Sequence, residues 1–315
     1  MLTNLASDRI KRIRRLAKAA QRRADGQVLV EGAQACREAA REGLVRDLYL
    51  TAAAAETHPE IVAATLASGG YQHLASGEYV RAISPDSQGL VAVAQDPWAG
   101  WSLAGVLDGT LRRAEATPSC GVSAGGSFTP SAATGAEPGV GRVLGGPARN
   151  TAPVTLVAVF EQVRDPGNAG TAIRAADGAG AGLVVFADQA VDPTGPKVIR
   201  ASAGSYFHLP VLRTGPVAEI AEPLQAAGLR LMGADANGSV RLEEADLEQP
   251  TAWLFGNEAR GLSGAATAAS DKTVRIPIYG RAESLNLAMA ATLCLYASAA
   301  AQKCLREADP CPSER

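Results

Sequence analysis

Three stretches of this chain combine residue types that could bind and react. In DPGNAGTAIRAAD, residues 165–177, a proline and two glycines lead into a helical pattern that carries Asn168 and Arg174. In WLFGNEARGLS, residues 253–263, an apolar strand ends at once in Gly256, Asn257 and Glu258. In RIPIYGRAESLNLAMAATLCLY, residues 275–296, a strand and a glycine turn lead to Ser284, Leu285 and Asn286 at the head of a long apolar helix. A guanidinium, a carboxylate and three amides together could clamp an anion, take up a proton and orient a hydroxyl.

Each stretch also has a plain structural reading. The glycines of residues 165–181 suggest a phosphate loop, yet Gly167, Gly170 and Gly178 do not follow the G-x-G-x-x-G spacing, and no Gly-Lys-Ser/Thr follows. Asn168 could simply cap the helix, with Arg174 paired to Asp177 or Glu161 on the surface. Glu258 suits the positive end of a helix. Ser284 reads as a helix cap with Asn286 in the first turn, where an amide among alanines and leucines needs a partner. A nucleotide-dependent α/β enzyme, using residues 165–181 for phosphate and Asp188 for a ribose, competes for the first stretch.

These residues need a frame to position them. From Val154 onward, VTLVAVFEQ, GLVVFAD, YFHLPVLR, LRLMGAD, TAWLF and KTVRIPI alternate with helical segments, which predicts an α/β domain over 154–304 with a mainly parallel sheet covered on both faces. Ahead of it, QVLVEG, VRDLYLT and GLVAVAQ alternate with AQACREAAREG and HPEIVAATLASGG, which predicts a small α/β domain over 1–97. Residues 98–153 include a Gly/Ala/Ser/Thr/Pro-rich run and read as a flexible linker or insertion, and 305–315 as a frayed tail.

The chain has 315 residues, 47 % of them apolar, enough for a substantial core. Its net charge of -2 conceals a basic N-terminus. RIKRIRRLAKAAQRR sets Ile10, Ile13, Leu16, Ala17 and Ala20 near one face of a single predicted helix, and Arg9, Lys11, Arg12, Arg14 and Arg15 around the rest. Such a helix is either a solvated face or suits a polyanion such as an RNA backbone, for which, with aromatics at 4 %, recognition should lean on phosphate and shape rather than stacking. Five irregularly spaced cysteines and three histidines without an HExxH pattern argue against a metal site and a disulfide framework, and fit a reducing cytoplasm. No run of about 18 apolar residues and no apolar signal region occur, so neither membrane spanning nor secretion is expected.

Taken in order, the three stretches resemble the three motifs of the SpoU (TrmH-like) branch of the SPOUT superfamily, RNA ribose 2′-O-methyltransferases. The likeness covers residues 154–303, and the N-terminal part resembles the small ribosomal-protein-like substrate-binding domain that many members carry. The long insertion is not typical of the family, and Leu287 and Ala288 stand where members often have Val and Ser. The resemblance implies a C-terminal trefoil knot, a homodimer formed through the knotted region, and S-adenosylmethionine bent within the knot. Gly256, Ile276 and Leu285 would then touch the cofactor through backbone, with Asn257 and Ser284 nearby. Asn168, Arg174, Glu258 and Asn286 would form the catalytic set, with the glycines of the first stretch allowing RNA to approach. Ribosomal RNA, of the 23S class, is favoured over transfer RNA as substrate. A relative that kept the fold but lost turnover would bind RNA without methylating it.

Overall fold

The computed structural model describes residues 1–109 and 153–308, with the side chains of 305–308 excepted. Most of the predicted linker, and the last seven residues of the predicted tail, lie outside the described residues. Residues 98–109 are not linker-like. Trp98 is buried and donates its indole N–H to Tyr206 O at 2.7 Å, and the helix Leu103–Leu107 sets Val106 into a core. Two tryptophans and an apolar helix bury enough area to offset their ordering entropy.

The described residues build two sheets. Strands β1 (Gln27–Glu31), β2 (Val45–Leu50), β3 (Tyr71–Leu74) and β4 (Leu90–Gln95) make a sheet of order β1-β4-β2-β3, with β2 and β3 parallel and the other pairs antiparallel. The larger sheet contains β5 (Leu156–Glu161), β6 (Leu183–Ala187), β7 (Val211–Arg213), β8 (Arg230–Ala234), β9 (Val240–Arg241), β10 (Thr251–Phe255) and β11 (Lys272–Arg275). Its order is β7-β6-β5-β10-β8-β11-β9, and every ladder is parallel. Every residue of β5, β6 and β10 is buried, as a sheet covered on both faces requires. Alternate side chains feed separate cores: Phe160, Phe186 and Phe255 point to one, Val159, Val185 and Leu254 to the other. The helix Leu287–Ala308 packs along the helix Pro166–Gly178 and against β5 and β10, and Trp253 donates to Ser298 Oγ at 2.9 Å.

Three elements differ from the sequence expectation. Ile276 and Pro277 leave the ladder that β11 ends at Arg275, because proline has no N–H to give it. Tyr206 and Phe207 lie in a 3₁₀ turn, Ser205–Phe207, and β7 starts only after Pro210. The basic segment forms two helices, Asp8–Arg15 and Ala19–Asp25, with Lys18 extended between them. Arg22, 4 % exposed, causes the break: its guanidinium donates to Leu16 O at 2.8 Å and Ala17 O at 2.9 Å, carbonyls that a continuous helix would use internally. The same group reaches the larger domain, donating to Thr194 Oγ1 and Asp192 Oδ2, both at 2.8 Å.

Further polar ties join the two sheets. Arg200, on the helix Pro196–Ala201, pairs with Glu31 at 3.0 Å and Asp86 at 2.8 Å. Tyr206 donates its hydroxyl to Asp96 at 2.8 Å. Burial raises the Asp96 carboxyl above the usual carboxylate range, only partly offset by the Tyr206 and Trp98 donors. A carboxyl raised on folding stabilises below its unfolded value, and that contribution is lost as pH rises through its folded value. Asp96→Asn keeps an oxygen for both donors and removes the buried charge. It should therefore melt roughly 1 to 4 °C above the wild type near neutral pH, with the gain fading in acid, as calorimetric scans across pH would show.

Candidate active site

Strand order in the larger sheet reverses between β5 and β10, and ligands of open α/β sheets collect outside the carboxyl ends of strands at such a point. From those ends β5 runs on to the helix Pro166–Gly178, β10 to Gly256, β8 to Asp235 and β11 to Ile276. All three sequence stretches therefore converge.

Asp165, not Asn168, caps the helix Pro166–Gly178: its Oδ1 accepts the Asn168 N–H at 2.7 Å, with Pro166 preset at the first position. The Asn168 side chain is thus free to face outward. Its Nδ2 donates to Glu258 Oε1 at 3.3 Å, and its Oδ1 accepts from Asn286 Nδ2 at 2.9 Å. Asn286, rather than Ser284, stands at the start of the C-terminal helix and accepts the N–H groups of Ala288 at 2.9 Å and Met289 at 3.3 Å. Asn286, Asn168 and Glu258 therefore form one hydrogen-bonded chain across the three motifs.

Arg174 is not part of that chain. It is exposed and makes no hydrogen bond or ion pair to the described residues. The partners that a surface role would have given it are engaged elsewhere, Asp177 with His208 at 2.8 Å and Glu161 with Ser263 Oγ at 2.7 Å. The Asp177 hydrogen bond raises the His208 imidazole, although burial opposes it. On the basic helix Asp8–Arg15, the five predicted RNA-facing cations are exposed. Lys11 pairs with Asp8 at 3.1 Å and Arg9 meets His73 Nδ1 at 3.1 Å, while Arg12, Arg14 and Arg15 have no hydrogen bond or ion pair to the described residues.

Glycines in the first stretch serve packing. A Cβ on Gly170 would lie 2.4 Å from Ala201 Cβ and 2.5 Å from Val198 O, so this glycine admits the neighbouring helix rather than RNA. In the second stretch, a Cβ on Gly256 would lie 2.1 Å from the carbonyl of Gly261. That contact closes the loop, which Asn257 and Gly261 tie by reciprocal N–H to O bonds of 2.9 and 2.8 Å.

Gly256, Asn257, Ile276, Ser284 and Leu285 all line one cleft, together with Glu258. Ile278, Leu287 and the segment Ala234–Asp235–Ala236 complete its walls. That last segment was not singled out in the sequence, although LRLMGAD ends where a strand meets the carboxyl edge. Among the described residues, Asp235 and Glu258 are the charged groups lining the cleft, and no cation does so. Burial pushes the Cys36 thiol up to about 12 and raises Cys294 further, so neither is a nucleophile near neutral pH. The arrangement offers an apolar cleft for a cationic or neutral ligand, with a carboxylate and two oriented amides at its edge.

Residues 155–296 match the model of the SpoU rRNA Methylase family. That segment, which holds all three motifs, is similar to the SpoU rRNA Methylase family. Over 146 residues it is 43 % identical to the 23S rRNA (uridine(2479)-2′-O)-methyltransferase of Streptomyces viridochromogenes, covering 45 % of this chain and 51 % of that protein. Over 150 residues it is 36 % identical to the 23S rRNA (guanosine(2553)-2′-O)-methyltransferase RlmP of Bacillus subtilis, covering 48 % of this chain and 60 % of that one. The matched stretch thus spans little more than half the length of these relatives. Solved structures extend the likeness across most of the chain. The SpoU methyltransferase AviRb of S. viridochromogenes, in complex with the cofactor AdoMet, superposes with a TM-score of 0.68 at 27 % identity, covering 95 % of this chain and 100 % of that one. An AdoMet-bound rRNA methyltransferase of Sinorhizobium meliloti shares the fold, with a TM-score of 0.69 at 24 % identity over 94 % of this chain and 96 % of that one.

The packing role of Gly170 in this domain is testable. Gly170→Ala should destabilise the protein by about 1 to 3 kcal/mol in urea unfolding. Gly167→Ala, whose added carbon would lie 3.0 Å from the Asp165 carboxylate at the helix start, should change stability far less.

Proposed function

We propose that this protein transfers a methyl group from S-adenosylmethionine to a ribose 2′-hydroxyl of large-subunit (23S) ribosomal RNA. The observation that carries this reading is the Asn286–Asn168–Glu258 chain at the edge of the cleft that Gly256, Ile276 and Leu285 line. The cleft's residues fit the cofactor: Ile276, Ile278, Leu285 and Leu287 suit an adenosyl group, and two carboxylates without a lining cation suit a ligand bearing a sulfonium and an ammonium. When bound, the cofactor supplies an electrophilic methyl carbon on positive sulfur.

The chain's own groups then have defined tasks. Glu258 accepts the proton that the 2′-hydroxyl sheds as the O–CH₃ bond forms and the S–CH₃ bond breaks. Asn168, held from both sides, orients Glu258 and the ribose. Arg174 holds the adjoining phosphate and steadies charge on the attacking oxygen. A guanidinium has no free acceptor, so the proton does not go there. Arg9, Lys11, Arg12, Arg14 and Arg15 extend the phosphate contacts, and the 2′-O specificity and ribosomal substrate are carried over from the named relatives.

The assembly belongs to the same proposal. Met289, Leu293 and Tyr296 recur at helical spacing on the C-terminal helix, with exposures of 64 %, 46 % and 50 %, and form an apolar stripe suited to a second copy of the chain. Residues 276–286, without regular secondary structure, lead from β11 into that helix, where the trefoil knot is proposed. Among the described residues no helix is long and apolar enough to cross a membrane, and a cytoplasmic enzyme is the corresponding reading.

Calorimetry should detect binding of S-adenosylmethionine and its demethylated product but not of NAD; binding of NAD alone would favour the nucleotide enzyme. Methylation mapped on ribosomal and transfer RNA should find a single ribose in 23S RNA. Glu258→Gln and Arg174→Lys should each lower kcat by about 100-fold or more, with product affinity unchanged in Arg174→Lys, which lies outside the cleft; near-full turnover in either variant would remove its assigned role. Leu293→Glu should convert a dimer to a monomer in sedimentation, and RNA affinity should fall steeply with salt.

A further inference from the structure

The carboxyl end of β5 holds a buried acid that the proposed reaction does not use. Glu161 is 4 % exposed and makes no ion pair with a described cation. Its two oxygens are taken by one residue: Oε1 accepts the Ser263 hydroxyl at 2.7 Å, and Oε2 the Ser263 N–H at 3.0 Å. Ser263 in turn accepts the Ala266 N–H at 3.0 Å and so starts the helix Gly264–Ala269. The next residue grips the same loop. Gln162, at φ 54, accepts from Asn257 Nδ2 through its backbone oxygen and from Arg260 through its side chain, both at 2.8 Å.

From this geometry we infer that Glu161 is a positioning residue for the cofactor loop, acting through Ser263; the inference rests on the cofactor assignment proposed above. A carboxylate is buried without a cation only where hydrogen bonds to its charged form compensate, and bonds of that kind are the strong ones. Ser263 is two residues from Gly261, whose backbone packs directly on Gly256. Gly256 and Gly261 both line the cleft. Freeing Ser263 loosens the support under Gly256, while the Asn286–Asn168 bond, which crosses between other elements, does not depend on it.

Glu161→Ala should weaken binding of the demethylated cofactor about tenfold and raise the KM for S-adenosylmethionine in step, with kcat at saturating cofactor within about threefold and RNA affinity unchanged. Glu161→Gln should restore affinity to within about threefold, since the amide oxygen accepts from the N–H and the serine hydroxyl turns to accept from the amide. Ser263→Ala should share the loss, and the double variant Glu161→Ala/Ser263→Ala should be no worse than Glu161→Ala alone. Unchanged affinity in Glu161→Ala, no rescue by Glu161→Gln, or additive losses in the double variant would each overturn the assignment. If Glu161→Ala does not fold, Ser263→Ala against the wild type carries the test. A wild type that binds neither cofactor nor product would instead refute the proposed function.

Discussion

Parallel pairing of β5 with β10 is the constraint on which the site depends. Phe160 stands opposite Phe255 and Val159 opposite Leu254, so Glu161 and Gly256 leave the sheet side by side. The register is held by stacking across the strands, Phe160 on Phe255 at 5.2 Å and on Phe186 at 5.5 Å. A slip by one residue would send these rings to the face that Val159 and Leu254 occupy, exchanging the contents of two cores of different shape. Because the strands are adjacent in space but 95 residues apart at Gln162 and Asn257, pairing brings two loops together that the chain alone would not. The grip of Glu161 on Ser263 and the reach of Asn168 to Glu258 both follow from that adjacency.

The small domain is joined to this frame through polar contacts. Arg22 closes the first basic helix and at the same time binds Asp192 and Thr194, so orienting the helix and docking it are one event. Thr194 and Arg22 hold the Asp192 carboxyl below its usual range despite its burial. Arg200 and Tyr206 add contacts from the larger domain to Glu31, Asp86 and Asp96. Cations left on the outer face of the helix Asp8–Arg15 are consequently presented in a fixed position relative to the larger sheet.

Much of this was legible in the sequence, and the limits have physical causes. Continuous apolar runs identified β5, β6 and β10, since a strand buried on both faces tolerates no polar alternation. The three motifs could be found because their polar residues sit where strands stop. Their local roles were harder to read. Asp165 and Asn168 are both competent caps, and only the position of Pro166 tells them apart, a signal present in the sequence. Ser284 reads as a better cap than Asn286 until the irregular run through Pro277 delays the helix to Leu287. The break near Lys18 was hard to read locally, because Arg22 turns back on Leu16 and Ala17 while also held by the distant Asp192 and Thr194. Glu161 could be read as a surface partner of Arg174, since its actual partner, Ser263, lies 102 residues away.

Charge is sorted in space in a way the near-neutral total conceals. Among the described residues the cleft carries Asp235 and Glu258 and no lining cation, while Arg174 and the helix Asp8–Arg15 hold theirs outside it. For the proposed reaction this separation is necessary. A guanidinium inside the cleft would repel a sulfonium and draw a phosphate into the cofactor's place, whereas carboxylates on the outer helix would repel RNA. Glu258 can serve both sides because it stands at the edge, where its carboxylate faces the cleft and still reaches Asn168. In the proposed reaction its charge would both accept the proton and, with Asp235, favour a cationic ligand, so that a transfer neutralising the sulfonium would also weaken the ligand's hold on the cleft.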